Sequence, residues 1–129
     1  MPTPKRLRSY FFERIEVGCI PSIVVLLSDR WIAFFPSDRR EIRHVTSFYD
    51  LPHIVKHSPL GMDWGHQGSG PADTALSVLA DFFGTEDVSH LLYQRFKDTF
   101  IAGMPAKGGV ITEGQINSWF ARYKSRLEA

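Results

Sequence analysis

Residues 111–127 read Ile-Thr-Glu-Gly-Gln-Ile-Asn-Ser-Trp-Phe-Ala-Arg-Tyr-Lys-Ser-Arg-Leu, and this stretch specifies a helix together with its start and its buried face. Thr112 and Gln115 have the spacing of a capping box, in which each side chain satisfies a backbone N–H of the other's residue. Ile111 and Ile116 flank that box as a hydrophobic staple does. Ile116, Trp119, Phe120, Tyr123 and Leu127 then recur three and four apart, which lines them along one face. The helix is therefore expected to begin within two or three residues of Thr112.

Two more helical segments lie upstream. Pro71 to Phe83 carries Ala72, Ala75, Leu76, Leu79 and Phe83 on one face. Gly70 reads as its N-cap, Pro71 as its first position, Asp73 as a first-turn acid complementing the dipole, and Gly84 as its stop. Val88, Leu92, Phe96 and Phe100 form a second stripe over Val88–Ile101, closed by Gly103 and Pro105.

Residues 1–50 have a different period. Tyr10–Val17 nearly alternates, and Ile23–Leu27 is an apolar run of strand length. Trp31–Phe35 reads as a third strand and Ile42–Phe48 as a fourth, with turns at Ser28-Asp29-Arg30 and Pro36-Ser37-Asp38. Turns this short join antiparallel neighbours, because a parallel crossover needs a dozen or more residues. Strands followed by helices give an α+β fold: a small antiparallel sheet from the N-terminal half packed against three C-terminal helices. The whole of 1–129 reads as a single domain, with 1–9 a flexible basic terminus.

Composition agrees with a globular chain. The 129 residues are 43% hydrophobic and 22% charged, enough apolar material for one core without staples. Fifteen Lys and Arg balance fourteen acids, whereas domains built on nucleic-acid contacts usually carry a basic excess. The lone Cys19 cannot form an internal disulfide, which suggests a reducing, cytoplasmic setting. Ile23–Leu27, the longest apolar run, is far too short to span a bilayer.

A functional site is expected between Asp50 and Pro71, an irregular stretch with His53, His57 and His66, three prolines and four glycines. Long irregular loops in compact domains often carry sites. Within it, Trp64-Gly65-His66-Gln67-Gly68-Ser69-Gly70-Pro71 runs into a helix start, where free N–H groups and the dipole suit an anion. Gly65, His66, Gly68, Ser69 and Gly70 are therefore candidate ligand residues. The stretch lacks the Lys-Ser/Thr of a P-loop and the G-x-G-x-x-G spacing of a dinucleotide site. Its structural alternative is a tight connection, with glycines at positive φ and Trp64 plugging the core.

His53 and His57 stand four apart, as a metal pair on a helix would, and His66 with Asp63 or Asp50 could complete a set. Pro52 and Pro59 leave room for one helical turn at most, and no metal-site signature accompanies them, so no joint zinc site and no cofactor is expected. Cys19 has no local motif, and Ser69 sits in Gly-Ser-Gly without the strand that a nucleophile elbow requires. No catalytic set is expected. Lys5-Arg6-Leu7-Arg8 before Tyr10, Phe11 and Phe12 is a weak nucleic-acid footprint of charge plus rings, and a solvated terminus leading into a half-buried strand is the preferred reading of so short a cluster.

The residues His57-Ser58-Pro59, Gly61, Trp64-Gly65, Gly68-Ser69-Gly70-Pro71-Ala72, Ala75-Leu76 and Leu79-Ala80-Asp81 carry a likeness, continued by Tyr93, Phe96-Lys97 and Ile111-Thr112. They resemble a family of small bacterial, plasmid and phage domains of unknown function, which typically show H-S-P-x-G-F-x-W-G-Y-x-G-S-G-P-A. The likeness covers about Leu51 to Tyr123. Lys56, Met62-Asp63, His66 and Thr74 depart from that pattern. The resemblance implies a fold and a mobile-element setting, and it implies no activity. The expectation is a non-catalytic accessory protein of mobile-element type, acting on a protein partner, possible anti-defence inhibitors included. Trp31, Tyr49, Arg30, Arg39 and Arg40 are its candidate contacts, since interfaces favour such anchors. The alternatives are a small-ligand or nucleotide-binding domain using 64–71, and a nucleic-acid-binding accessory protein.

Overall fold

The computed structural model describes residues 7–15, 20–28, 45–54, 58 and 61–127. In chain order these form β1 (Leu7–Ile15), β2 (Ile20–Ser28), β3 (Val45–Asp50), α1 (Ser69–Phe83), α2 (His90–Phe96), a π-helical turn (Lys97–Ile101), β4 (Gly108–Thr112) and α3 (Glu113–Leu127). The sheet runs β3-β2-β1-β4 and every pairing is antiparallel. The α+β class is as expected, although one edge strand comes from the C-terminal half. The expected strand Trp31–Phe35 lies outside the described residues, as does the start of the one placed at Ile42–Phe48.

β4 went unread in the sequence because two of its five residues are glycines, which weaken a strand signal. The glycine at 108 is required: its φ is +120°, and a Cβ there would fall 1.8 Å from the Phe12 carbonyl oxygen across the pair. β4 delivers the chain directly into α3. There the Gln115 N–H donates to Thr112 Oγ1 (3.2 Å) and the Thr112 N–H to Gln115 Oε1 (2.9 Å), so the capping box forms as its spacing predicts.

α1 ends at Gly84 in the left-handed region, as expected, but it starts earlier than the sequence reading placed it. Gly68 (φ 139°), rather than Gly70, is the cap residue, and Pro71 is the third helical position. Asp73 consequently leaves the first turn. It is fully buried and bonded to side chain and backbone instead of facing the dipole. The expected Val88–Ile101 helix is two pieces, with Ser89 Oγ capping α2 through the Leu92 N–H and a π turn following.

Alternation along the strands sets the core. Tyr10 and Phe12 of β1 stand opposite Val25 and Ile23 of β2 and opposite Ile111 and Gly109 of β4. Directly opposed residues share a face, and on this face they meet Trp64, Ala75, Val78 and Leu79, Phe96, Ile101, Ile116 and Trp119 in one buried cluster. All three helices thus cover a single side of the sheet.

Candidate functional site

The Gly-rich stretch is tied down at several points. The Gly65 N–H donates to the Ile101 carbonyl (3.0 Å), and Thr74 Oγ1, buried in α1, donates to the Asp63 carbonyl (2.7 Å) while receiving the Asp63 N–H (2.9 Å). Two of its glycines are set by space. A Cβ on Gly65 (φ 85°) would stand 3.1 Å from the Met104 carbonyl, and one on Gly70 would stand 3.1 Å from Asp63 Cβ. Trp64 is fully buried as the core plug. Its ring meets Phe12 edge-on at 5.5 Å, its Nε1–H donates to the Ala106 carbonyl (3.2 Å), and the Arg14 guanidinium lies 4.5 Å from the ring centroid.

Arg14 also reaches the turn by charge. Its Nη2 donates to Asp63 Oδ1 (2.7 Å) and its Nε to the Ala106 carbonyl (2.6 Å). Asp63 Oδ1 receives the Trp64 N–H as well (2.8 Å), while Oδ2 faces His66 Nε2 at 3.1 Å. Burial alone pushes the Asp63 carboxyl upward. Hydrogen bonds from His66, Arg14 and the Trp64 N–H, with the Arg14 charge, outweigh that and hold it below its ordinary range. Of the candidate ligand residues, Gly65, His66, Gly68 and Ser69 are exposed around the start of α1, and Gly70 is buried beneath them. The geometry accounts for Gly65 and Gly70 by packing.

His53 and His66 take different carboxylates as partners. His53 Nε2 pairs with Asp73 Oδ2 (2.8 Å), which also receives the Ser58 N–H (2.8 Å), so the buried Asp73 fixes the segment entering the loop. His66 pairs with Asp63, and His57 lies outside the described residues. Among the described residues no three His, Cys, Asp or Glu are placed to hold a metal ion.

The candidate partner contacts divide. Arg30, Trp31, Arg39 and Arg40 lie outside the described residues, as do Cys19, Lys5 and Arg6. Tyr49 is half-buried on the helix side of β3, opposite Val25, and its hydroxyl donates to Asp81 Oδ1 (2.5 Å). Tyr10 donates to Oδ2 of the same carboxylate (2.7 Å), and Arg8 Nε lies 3.6 Å away. Burial, then the Asp81 charge, raises the Tyr10 hydroxyl far above its ordinary pKa and keeps it a donor.

Sequence reasoning missed the neighbour of Tyr49. Phe48 pairs with Leu26 and points away from the helices, 73% exposed. The outward side of the sheet is apolar well beyond it. Val24, Leu26 and Val110 are partly exposed, and Ile20 and Ile15, paired at the far end of β1–β2, are 57% and 52% exposed. The only charged side chains of the described outward positions are Glu13 and Asp50, both acidic, because Arg8 and Arg14 alternate to the other face. Strand alternation in β3 was the available signal, but choosing which of Phe48 and Tyr49 points outward needs the register with β2.

The described chain is thus an α+β fold with a one-sided helical layer and an apolar, acidic-rimmed outer sheet face. It belongs to the family of unknown function DUF6166, whose profile matches residues 33–122. No curated protein matches the chain, and no solved structure does. Among the described residues no helix is long and apolar enough to cross a membrane.

Proposed function

We propose that the protein acts by binding a protein partner without turnover, and that the outer face of the sheet makes the contact. The observation that carries this is Phe48, a large ring 73% exposed on the face opposite the helices, beside Leu26 and on the same face as Val24, Val110, Ile20 and Ile15. Contiguous exposed apolar surface in a globular domain marks an interaction site more often than it marks chance. The acidic Glu13 and Asp50 at its margin favour a partner whose apolar contact is flanked by Lys or Arg. An accessory protein of mobile-element type that occupies a partner's surface fits this picture, with inhibition of a host defence component as one form of it.

Recovery of partners from the native host by the tagged full chain, read by mass spectrometry, tests the proposal. The expected result is a protein retained by the wild type and lost with Phe48→Glu, at an unchanged melting temperature. A set of retained proteins identical for both would refute the assignment of the face. The second reading, a small anionic ligand at 65–69, rests on those exposed residues at the α1 start. It demands that a nucleotide or phosphorylated metabolite raise the melting temperature, and that Ser69→Pro abolish the rise.

A further inference from the structure

Both ring nitrogens of His66 face groups that can only accept a hydrogen bond. Nδ1 lies 2.8 Å from the Gln67 carbonyl oxygen, and Nε2 lies 3.1 Å from Asp63 Oδ2. A carbonyl has no proton to give. Asp63, which already receives hydrogens from Arg14 and the Trp64 N–H on its other oxygen, is ionised. A neutral imidazole carries a single N–H and can serve only one of the two acceptors. We propose that His66 is a proton-operated clasp: as an imidazolium it closes the 63–67 turn with two bonds, and on losing its proton it must release one end.

The two neutral tautomers release different ends. With hydrogen on Nδ1 the Gln67 bond survives, and a lone pair opposes the Asp63 carboxylate. With hydrogen on Nε2 the Asp63 contact survives, and a lone pair opposes the Gln67 carbonyl. Each places two electron-rich atoms about 3 Å apart, which the exposed ring escapes by rotating into water. The clasp acts on a segment whose other tie is weak, since the Gln67 side-chain amide reaches Asp98 of the π turn at 3.4 Å. Gly65 stays anchored to Ile101 and the Gly68 carbonyl receives the Ala72 N–H, so the part set free is 66–67, ending at the α1 cap.

The charges facing the ring act in both directions. Asp63 favours the imidazolium. Arg14 from β1 and the positive end of α1, whose cap Gly68 lies against the ring, disfavour it. Asp98 reaches it only through Gln67. The Gln67 carbonyl and then Asp63 outweigh the opposing charges, and the His66 pKa is raised above 6.5. The clasp is therefore closed below that raised value and opens as pH climbs through it.

Nuclear magnetic resonance on the full chain tests this. His66 should titrate above 6.5, with the Gly68 amide shift following the same midpoint. The Gln67 carbonyl carbon, whose oxygen is the acceptor at Nδ1, should shift with that midpoint as well. His66→Gln, a change at an exposed position, should abolish the Gly68 and Gln67 titrations. Asp63→Asn should lower the His66 pKa. A wild-type His66 titrating at or below 6.5, or a Gly68 titration that persists in His66→Gln, would overturn the clasp.

Discussion

Replacing Trp64 by Ala probes the joint between sheet, loop and π turn. The residue is fully buried, so truncation removes its whole ring from the core. Large-to-small changes at buried Trp cost about 3–5 kcal/mol. Trp64 belongs at the upper end, because the ring also holds the edge-on Phe12 contact, the Ala106 hydrogen bond and the Arg14 guanidinium above it. Such an aromatic pair adds about 0.5–1.5 kcal/mol beyond area and a cation over a ring about 0.5–1 kcal/mol. A loss of about 4–5 kcal/mol is expected, or roughly 12–20 °C in melting temperature at 3–4 °C per kcal/mol for a chain of this size. Trp64→Phe keeps a ring against Phe12 and loses the N–H, so it should cost about 1–3 kcal/mol. Urea unfolding followed by circular dichroism measures both without relying on indole fluorescence. A Trp64→Ala loss below about 1 kcal/mol, or equal losses for the two variants, would refute the account of the plug.

Three further outcomes are expected. Asp73→Ala leaves the Ser58 N–H and His53 without their common acceptor and should cost about 2–3 kcal/mol, read in the same melts. Gly108→Ala cannot keep the β1–β4 pairing, because its methyl collides with the Phe12 carbonyl, so the amides of β4 should lose protection in hydrogen exchange. Asp63 has a lowered folded pKa, so its stabilisation is complete above the unfolded value of 3.8 and is lost as pH falls through the folded one. Asp63→Asn should accordingly flatten the acid limb of stability below about pH 4 and leave its shape there insensitive to salt-bridge protonation, measured by melts across that range.

What could be read in the sequence was whatever local chemistry decides. The Thr112–Gln115 box and the Gly84 stop each need only a few adjacent residues, and both formed where expected. Trp64 as a plug was likewise legible from a large ring among glycines. Asp73 was not: spacing placed it near a helix start, and its partners, His53 and the Ser58 N–H, come from a loop whose path the helix pattern does not encode. The exposed ring of Phe48 was hidden for a similar reason. Phe48 and Tyr49 are equally good strand residues, and pairing with β2 decides which of them reaches Asp81 and which meets solvent.

The β1–β4 pairing joins Tyr10 to Ile111, about a hundred positions apart. Closing so long a loop costs more entropy than any neighbouring hairpin, and the cost precedes the reward of the contact. One edge of β1 therefore waits, with its backbone unpaired, until nearly all of the described chain exists. Folding should be slow for a chain of this length, and the waiting edge is open to pairing with the same strand of another copy. A ribosome-bound chain cut short of Gly108 should aggregate where the longer one does not.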